Sequence, residues 1–219
     1  MKSKITLAAI AFIIGSGFAF AQDANKIPRV RYEARLAFDV SSNTGVGQFY
    51  DTGAGFTAGG LAEIQLPKDF YFSPGLLLYY TGWSMDNSRL EALKLYSGSA
   101  SNWGLRIPIS VGYSIPLLTN LTMQVYSGPW LNVNFSARQT MSAAPESPYE
   151  DFYESNLFRD GFKRVDAQWG FGLKLAWDDH YIVGVSFGVG MTPVRHFTSM
   201  HNEMTQRRNS FQLNLGYRF

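Results

Sequence analysis

The chain has 219 residues, of which 46% are hydrophobic and 16% aromatic, with no cysteine and a formal charge of +2. The lack of cysteine excludes disulfides and thiol chemistry, and the near-neutral charge gives no support for a nucleic-acid partner. No stretch of 18 apolar residues follows residue 22, which excludes a membrane helix from that part of the chain.

The first residues are typical of a secretory signal peptide. Lys2 and Lys4 precede the apolar run ITLAAIAFIIGSGFAF, and Ala19 and Ala21 frame a small-x-small cleavage site. Removal of this segment would reduce the 19 basic residues to 17, which equals the number of acidic residues. We expect three regions: a signal peptide (1–21), a short N-terminal periplasmic segment (22–29) and one domain (30–219).

Eight segments alternate apolar and polar residues with a period of two, which predicts β-strands. The first, VRYEARLAFDV, places apolar side chains on one face and charged ones on the other. In chain order the segments are 30–40, 56–66, 70–82, 105–115, about 121–135, about 164–177, 181–191 and 211–219. Each is long enough to cross a membrane at a tilt, for which about 9–11 residues suffice.

Short and long connections alternate between these segments. This arrangement is typical of an up-and-down membrane barrel, which has short turns at one end and long loops at the other. The sequence therefore predicts an all-β fold, a closed antiparallel eight-stranded up-and-down transmembrane β-barrel. Pro74, Pro108 and Pro129 interrupt its strands, and we expect local bulges there.

Glycine indicates which face points inward. It is concentrated on the charged face of the strands, and the narrow interior of an eight-stranded barrel requires small side chains beside large ones. The charged face is therefore expected to line the lumen, where its residues would form an ion-pair network that fills the barrel. A small selective pore lined by the same charges is the alternative. The predicted lumen residues are Arg31, Glu33, Arg35, Asp39, Glu63, Arg106, Arg164, Asp166, Lys174 and Arg218.

The last strand carries a recognisable pattern. Leu213, Leu215, Tyr217 and Phe219 share its apolar face, and this pattern resembles the signal read by the outer-membrane barrel-assembly machinery. The stretches PGLLLYYTGW, LRIPISVGY, SGPWLNVNF and VDAQWGFGLKL resemble the porin-family, or PorT-like, β-barrel domain of Bacteroidetes outer membranes. The resemblance implies a Gram-negative cell envelope and contact with outer-membrane lipid. Gly75 departs from the family pattern, in which an acidic residue often follows the proline.

Three classes of function remain open: a structural or binding scaffold, a narrow solute channel, and an outer-membrane lipid-modifying enzyme or protease. The histidines His180, His196 and His201 are candidate general bases, but no nucleophile motif accompanies them. We therefore expect no catalytic residue, cofactor or metal site. The connection 136–163 holds Tyr149, Phe152, Tyr153 and Phe158 among acidic residues, which suits an extracellular or envelope protein partner.

Overall fold

The computed structural model describes residues 29–45, 52–85, 95–143, 152–199 and 202–219. Their ten strands are β1 (Val30–Gly45), β2 (Gly53–Gln65), β3 (Phe70–Ser84), β4 (Leu95–Leu118), β5 (Leu121–Ala143), β6 (Phe152–Asn156), β7 (Val165–Trp177), β8 (Tyr181–Gly190), β9 (Arg195–Ser199) and β10 (Asn202–Arg218). No helix in these ranges is long and apolar enough to cross a membrane. The expected signal peptide, with Ala19 and Ala21, lies outside the described residues, as does nearly all of segment 22–29.

Eight of the ten strands close into a ring. Neighbours pair antiparallel from β1 to β5, then β5 pairs with β7, β7 with β8 and β8 with β10. The pairing of β1 with β10, from Glu33↔Arg218 to Gly45↔Gln206, completes the ring. The predicted antiparallel eight-stranded barrel is therefore confirmed. β6 and β9 are short additional strands that pair with β5 and β10.

The turns at one end of the barrel are tight. Lys68 and Asp69 have φ angles of 60° and 62°, and Asp178 and Asp179 have φ angles of 49° and 62°. These left-handed conformations reverse the chain within a few residues, and Asp tolerates them better than most residues do. We refer to this end as the short-turn end and to the opposite one as the long-connection end.

At the long-connection end, three strands continue beyond their predicted limits. β4, β5 and β10 include residues 95–104, 136–143 and 202–209, which the sequence pattern assigns to connections. Beyond the outward Trp103, the outward side chains of these extensions are polar, as at the exposed Ser99 and Arg207. Because both faces of these extensions carry polar residues, the period-two hydrophobic signal disappears although the strands continue.

Two aromatic rows limit the apolar outer face. Phe70 of β3 packs on Tyr113 of β4 with ring centroids 5.0 Å apart, and Tyr80 packs on Trp103 with centroids 4.8 Å apart. Phe70 and Tyr80 are ten residues apart. At about 3.3 Å per residue and a strand tilt of about 40°, this separation corresponds to about 25 Å, the height of the lipid-facing band of outer-membrane barrels.

The inward glycines make room for aromatic rings inside the barrel. Tyr71 lies directly across from Gly112, and a Cβ at this glycine would be 2.2 Å from the Cζ atom of the tyrosine. The indole of Trp130 covers Gly170, where a Cβ would be 1.9 Å from Cε2. Tyr79 over Gly104 and Tyr126 over Gly172 repeat the arrangement. Small and large residues therefore alternate across the lumen because each ring lies flat over a neighbouring strand.

The bulges expected at the prolines are not found. Pairing of β2 with β3 keeps one register from Leu61↔Gly75 to Ile64↔Phe72, on either side of Pro74. Pro108 and Pro129 likewise lie within continuous registers of β4 with β5 and β5 with β7. Proline removes one hydrogen-bond donor but needs no extra residue, so the register persists. A register shift occurs instead between Trp103 and Gly104.

The packing of aromatic rings on inward glycines predicts that Gly→Ala substitutions destabilise the barrel at inward positions but not at outward ones. Gly170→Ala would push against the indole of Trp130 and is expected to cost about 1–3 kcal/mol of stability. Gly60→Ala is the matched control, because the nearest atom to its Cβ is the Glu33 carbonyl oxygen at 3.8 Å. The measurement is the thermal midpoint at which the detergent-refolded barrel loses its folded gel mobility. Equal effects of the two substitutions would contradict this account.

Candidate functional site

The lumen contains most of the predicted charged residues. Eight of the ten are buried there: Glu33, Arg35, Asp39, Glu63, Arg106, Asp166, Lys174 and Arg218. Arg31 lies instead at the short-turn rim, where its Nη1 is 2.9 Å from Oδ1 of Asp179. Arg164 is exposed, and its guanidinium carbon is 4.2 Å from the ring centroid of Phe158. Arg164 precedes the first residue of β7, so the alternation that directs strand side chains inward does not apply to it.

Near the short-turn end, two glutamates hold three cations. Glu33 is 2.6 Å from Nη2 of Arg35 and 2.9 Å from Nζ of Lys174. Glu63 contacts the same lysine at 3.1 Å and Nη2 of Arg218 at 2.8 Å. Because these residues come from β1, β2, β7 and β10, the ion pairs connect strands across the lumen as well as along the sheet.

A second layer surrounds Arg106 in the middle of the barrel. Its Nη1 is 3.3 Å from Oδ2 of Asp39, and its Nε donates to Oδ1 of Asn132 at 2.9 Å. The guanidinium carbon also lies 5.2 Å from the ring centroid of Tyr79 and 5.0 Å from that of Trp130. A desolvated cation over two aromatic faces gains attraction from both. This arginine therefore fills the width of the lumen at its level.

The third layer depends on a residue that the sequence analysis missed. Arg208 of β10 is buried, and its Nη2 donates to Oδ2 of Asp166 at 2.5 Å. Asn134 donates to the same oxygen at 3.0 Å, and Arg208 Nη1 donates to the Tyr79 hydroxyl at 3.2 Å. Arg208 shares the inward face of Arg218, so extending the alternation of the last predicted segment by three residues, from 211 to 208, identifies it.

Together these layers leave very little space in the barrel. Each of the five buried cations of the described residues contacts a carboxylate, and only four buried carboxylates serve them. The cavity between the first and second layers has a volume of about 10 Å³, which is room for about one water molecule. The arrangement can connect strands and exclude solutes.

An apolar cluster occupies the mouth at the long-connection end. Leu157 is buried against Trp83, Met85, Ala100 and Ala137. Its backbone N–H donates to the carbonyl oxygen of Ala137 at 3.0 Å, which draws the turn after β6 towards the strand wall. The partly buried Met141, Phe158 and Phe162 pack on the same cluster. Of the four aromatic residues singled out in the long connection, Phe158 thus covers the mouth. Tyr149 and the side chains of Phe152 and Tyr153 lie outside the described part.

Of the three histidines, His180 is the one whose side chain the structure describes. His180 is exposed in the turn before β8, with its Nδ1 2.5 Å from the carbonyl oxygen of Asp178. His196 belongs to β9, but its side chain is not described, and His201 lies outside the described residues. Within the described ranges, no group of three or more His, Cys, Asp or Glu side chains could hold a metal ion.

The ion-pair layers predict an uneven sensitivity to charge removal. Glu63→Gln takes a carboxylate from Lys174 and Arg218 and is expected to cost about 3–5 kcal/mol, the usual range for breaking a buried pair. The control is Glu154→Gln, whose pair with Arg138 is at least half exposed on both sides (50% and 69%) and is expected to contribute below about 1 kcal/mol. Urea unfolding in lipid vesicles, followed by tryptophan fluorescence, measures both. Similar losses would show that the lumen pairs do not support the fold.

Comparison with known proteins identifies the family of this chain. The family described as "Outer membrane protein beta-barrel domain" matches residues 20–196. No curated protein matches. Three similar solved structures are Ail of Yersinia pestis (11% identity, covering 86% of this chain and 98% of that one, TM-score 0.44), neisserial surface protein A (12%, 86% and 95%, 0.44) and OprG of Pseudomonas aeruginosa (10%, 87% and 95%, 0.48). With its ring of eight strands and the family match, the chain belongs to the outer membrane protein beta-barrel domain family and is a small barrel of the outer membrane.

Proposed function

We propose that this barrel is a closed scaffold, whose long connections carry any binding role on the extracellular side. The observation that carries the proposal is the filled lumen: three ion-pair layers and an apolar cluster lie one above another between the two ends. The cavity of about 10 Å³ has room for about one water-sized particle and for no organic solute. A narrow channel would require these layers to separate, at the cost of leaving charges such as Arg106 and Asp39 without partners.

The proposal also assigns recognition to the outer surfaces. Strands β4 and β5 have 24 and 23 residues, about twice the length that a bilayer requires of a tilted strand. The part beyond the apolar band forms a rigid hydrogen-bonded wall that positions the connection between β5 and β7. Because the rigid wall restricts the ends of the connections, these connections lose less conformational entropy when they bind a protein partner. An enzymatic role through His196 or His201 is the competing proposal for the same end of the barrel.

Conductance across planar lipid bilayers tests the closed lumen. The mature wild-type protein is expected to give no discrete current steps at 100 mV in 1 M KCl. A variant with Arg106→Ala and Trp130→Ala removes two large side chains of the second layer and is expected to conduct, because the two are in contact and fill the lumen at the same level. The matched control, Trp169→Ala, truncates an exposed tryptophan on the lipid face. Regular current steps from the wild type would overturn the proposal in favour of a channel.

We also propose that the outward face of β10 is read by the barrel-assembly machinery, and that the chain groups with the PorT-like members of its family. Leu213, Leu215, Tyr217 and Phe219 are all exposed on that face. The backbone N–H of Phe219 donates to the carbonyl oxygen of Tyr32 at 2.8 Å, so the residue after β10 is held against β1 at the seam of the ring. The motifs of the sequence analysis support the PorT-like grouping.

Assembly in cells and refolding in detergent separate recognition from stability. Tyr217→Ala with Phe219→Ala is expected to reduce the folded barrel in the outer membrane of a Gram-negative host, because the side chains available to the machinery are removed. Refolding into detergent is expected to be nearly unchanged, since both side chains are exposed on the outer face at the end of the chain. Phe187→Ala, on the same lipid face of β8, is the control. Equal losses in both assays would assign Tyr217 and Phe219 a structural role only.

A further inference from the structure

A small cavity in the lumen is lined in part by side chains that carry hydrogen-bond donors. It lies between the Glu33–Glu63 layer and the Arg106 layer, and Tyr71, Tyr126 and Trp130 line it. These side chains are only 1%, 8% and 2% exposed. Both tyrosine hydroxyls and the indole N–H are buried without a hydrogen-bond partner. Leaving a buried polar group unsatisfied costs about 1–3 kcal/mol, so three around one cavity indicate that something binds there.

Three cationic side chains line this cavity, and the carboxylates that pair with them lie outside its lining. Arg35, Arg106 and Lys174 also line it, and each stands over one of the three unsatisfied rings. The distances from charge to ring centroid are 6.0 Å for Arg35 and Tyr126, 5.0 Å for Arg106 and Trp130, and 5.3 Å for Lys174 and Tyr71. No carboxylate is found among the described residues that line the cavity. A bound water can donate to the lone pairs of these hydroxyls, so the excess of positive charge, and not the number of donors, favours an anion here.

The charge balance of the lumen agrees with this. The five buried cations of the described residues exceed the four buried carboxylates by one. At the rim, Asp179 contacts both Arg31 and Arg218, and counting Asp179 together with Arg31 leaves the excess at one positive charge. An unbalanced charge in a medium of low dielectric constant is costly, and a counter-ion in the cavity removes it.

We propose that the lumen binds one monatomic anion, chloride under physiological conditions, between Tyr71, Tyr126 and Trp130. The volume of about 10 Å³ admits one particle of about the size of water and excludes phosphate, sulfate and carboxylate ligands. The indole N–H and both hydroxyls donate to the ion, and the hydroxyls of Ser73 and Ser110 in the same lining can turn their protons towards it.

The thermal midpoint of the refolded full mature chain tests the site at constant ionic strength. Sodium chloride and sodium bromide are expected to raise the midpoint relative to sodium gluconate, whose anion is too large to enter. At about one hundred times the dissociation constant the increase is expected to be about 5 °C or more. Tyr126→Phe and Trp130→Phe are expected to remove most of it, whereas Tyr80→Phe, on the outer face, is expected to retain it.

Crystals grown in sodium bromide give the position of the ion. An anomalous peak within about 3.5 Å of Trp130 Nε1 and a tyrosine hydroxyl supports the proposal. The proposal is overturned by a peak only at the surface, or by equal midpoints in chloride and gluconate. If Tyr126→Phe destabilises equally in both salts, the cavity holds a water and the anion is excluded. If Tyr126→Phe stabilises in both salts, the cavity is empty, because removing an unsatisfied hydroxyl then relieves a cost.

Discussion

Hydrocarbon offers no hydrogen-bond partner to a peptide group, and this requirement underlies the whole structure. It forces the sheet to close, so β10 must pair with β1 and no edge meets lipid. Closure with only eight strands then fixes a lumen that side chains can fill. Because the number of strands determines the width of the lumen, a large inward aromatic ring fits only where a neighbouring strand has a glycine. Tyr71 over Gly112 and Trp130 over Gly170 are therefore consequences of strand number.

The same requirement explains why the lumen is charged. If both faces of each strand were apolar, strands of this length would contain long runs of apolar residues, which behave as membrane helices in other proteins. Alternation avoids such runs, and it places half of each strand's side chains in a dry interior. Charges there are tolerable only in pairs, which is why Glu63 serves both Lys174 and Arg218. The layers thus follow from combining a membrane-facing exterior with an otherwise polar sequence.

Alternation of apolar and polar residues predicts the strands that face lipid, but it does not reveal strand segments that extend beyond the lipid. The ring and the burial of residues such as Asp39 follow from a period of two against a hydrophobic medium. Where lipid ends, the contrast between faces ends too, so the extension of β10 and with it Arg208 were assigned to a loop. Arg164 was wrongly predicted to face the lumen. It is two residues before the inward Asp166, but β7 begins only at Val165, so strand alternation does not extend to it. The pairing of β5 with β6 depends on long-range contacts that no local pattern encodes.

The position of the apolar cluster at the mouth also limits where function can reside. If the ion-pair layers alone closed the barrel, the mouth could remain an open vestibule for a small ligand. Leu157 instead packs on inward-facing Ala137 and Trp83, which removes that space at the long-connection end. The partner proposed above would therefore contact the outside of the wall or the connections that extend from it. The exposed Ser97 and Ser99 of β4 and Arg138 of β5 make that outer wall polar, so a partner would meet hydrogen-bonding groups on a rigid sheet before any apolar surface.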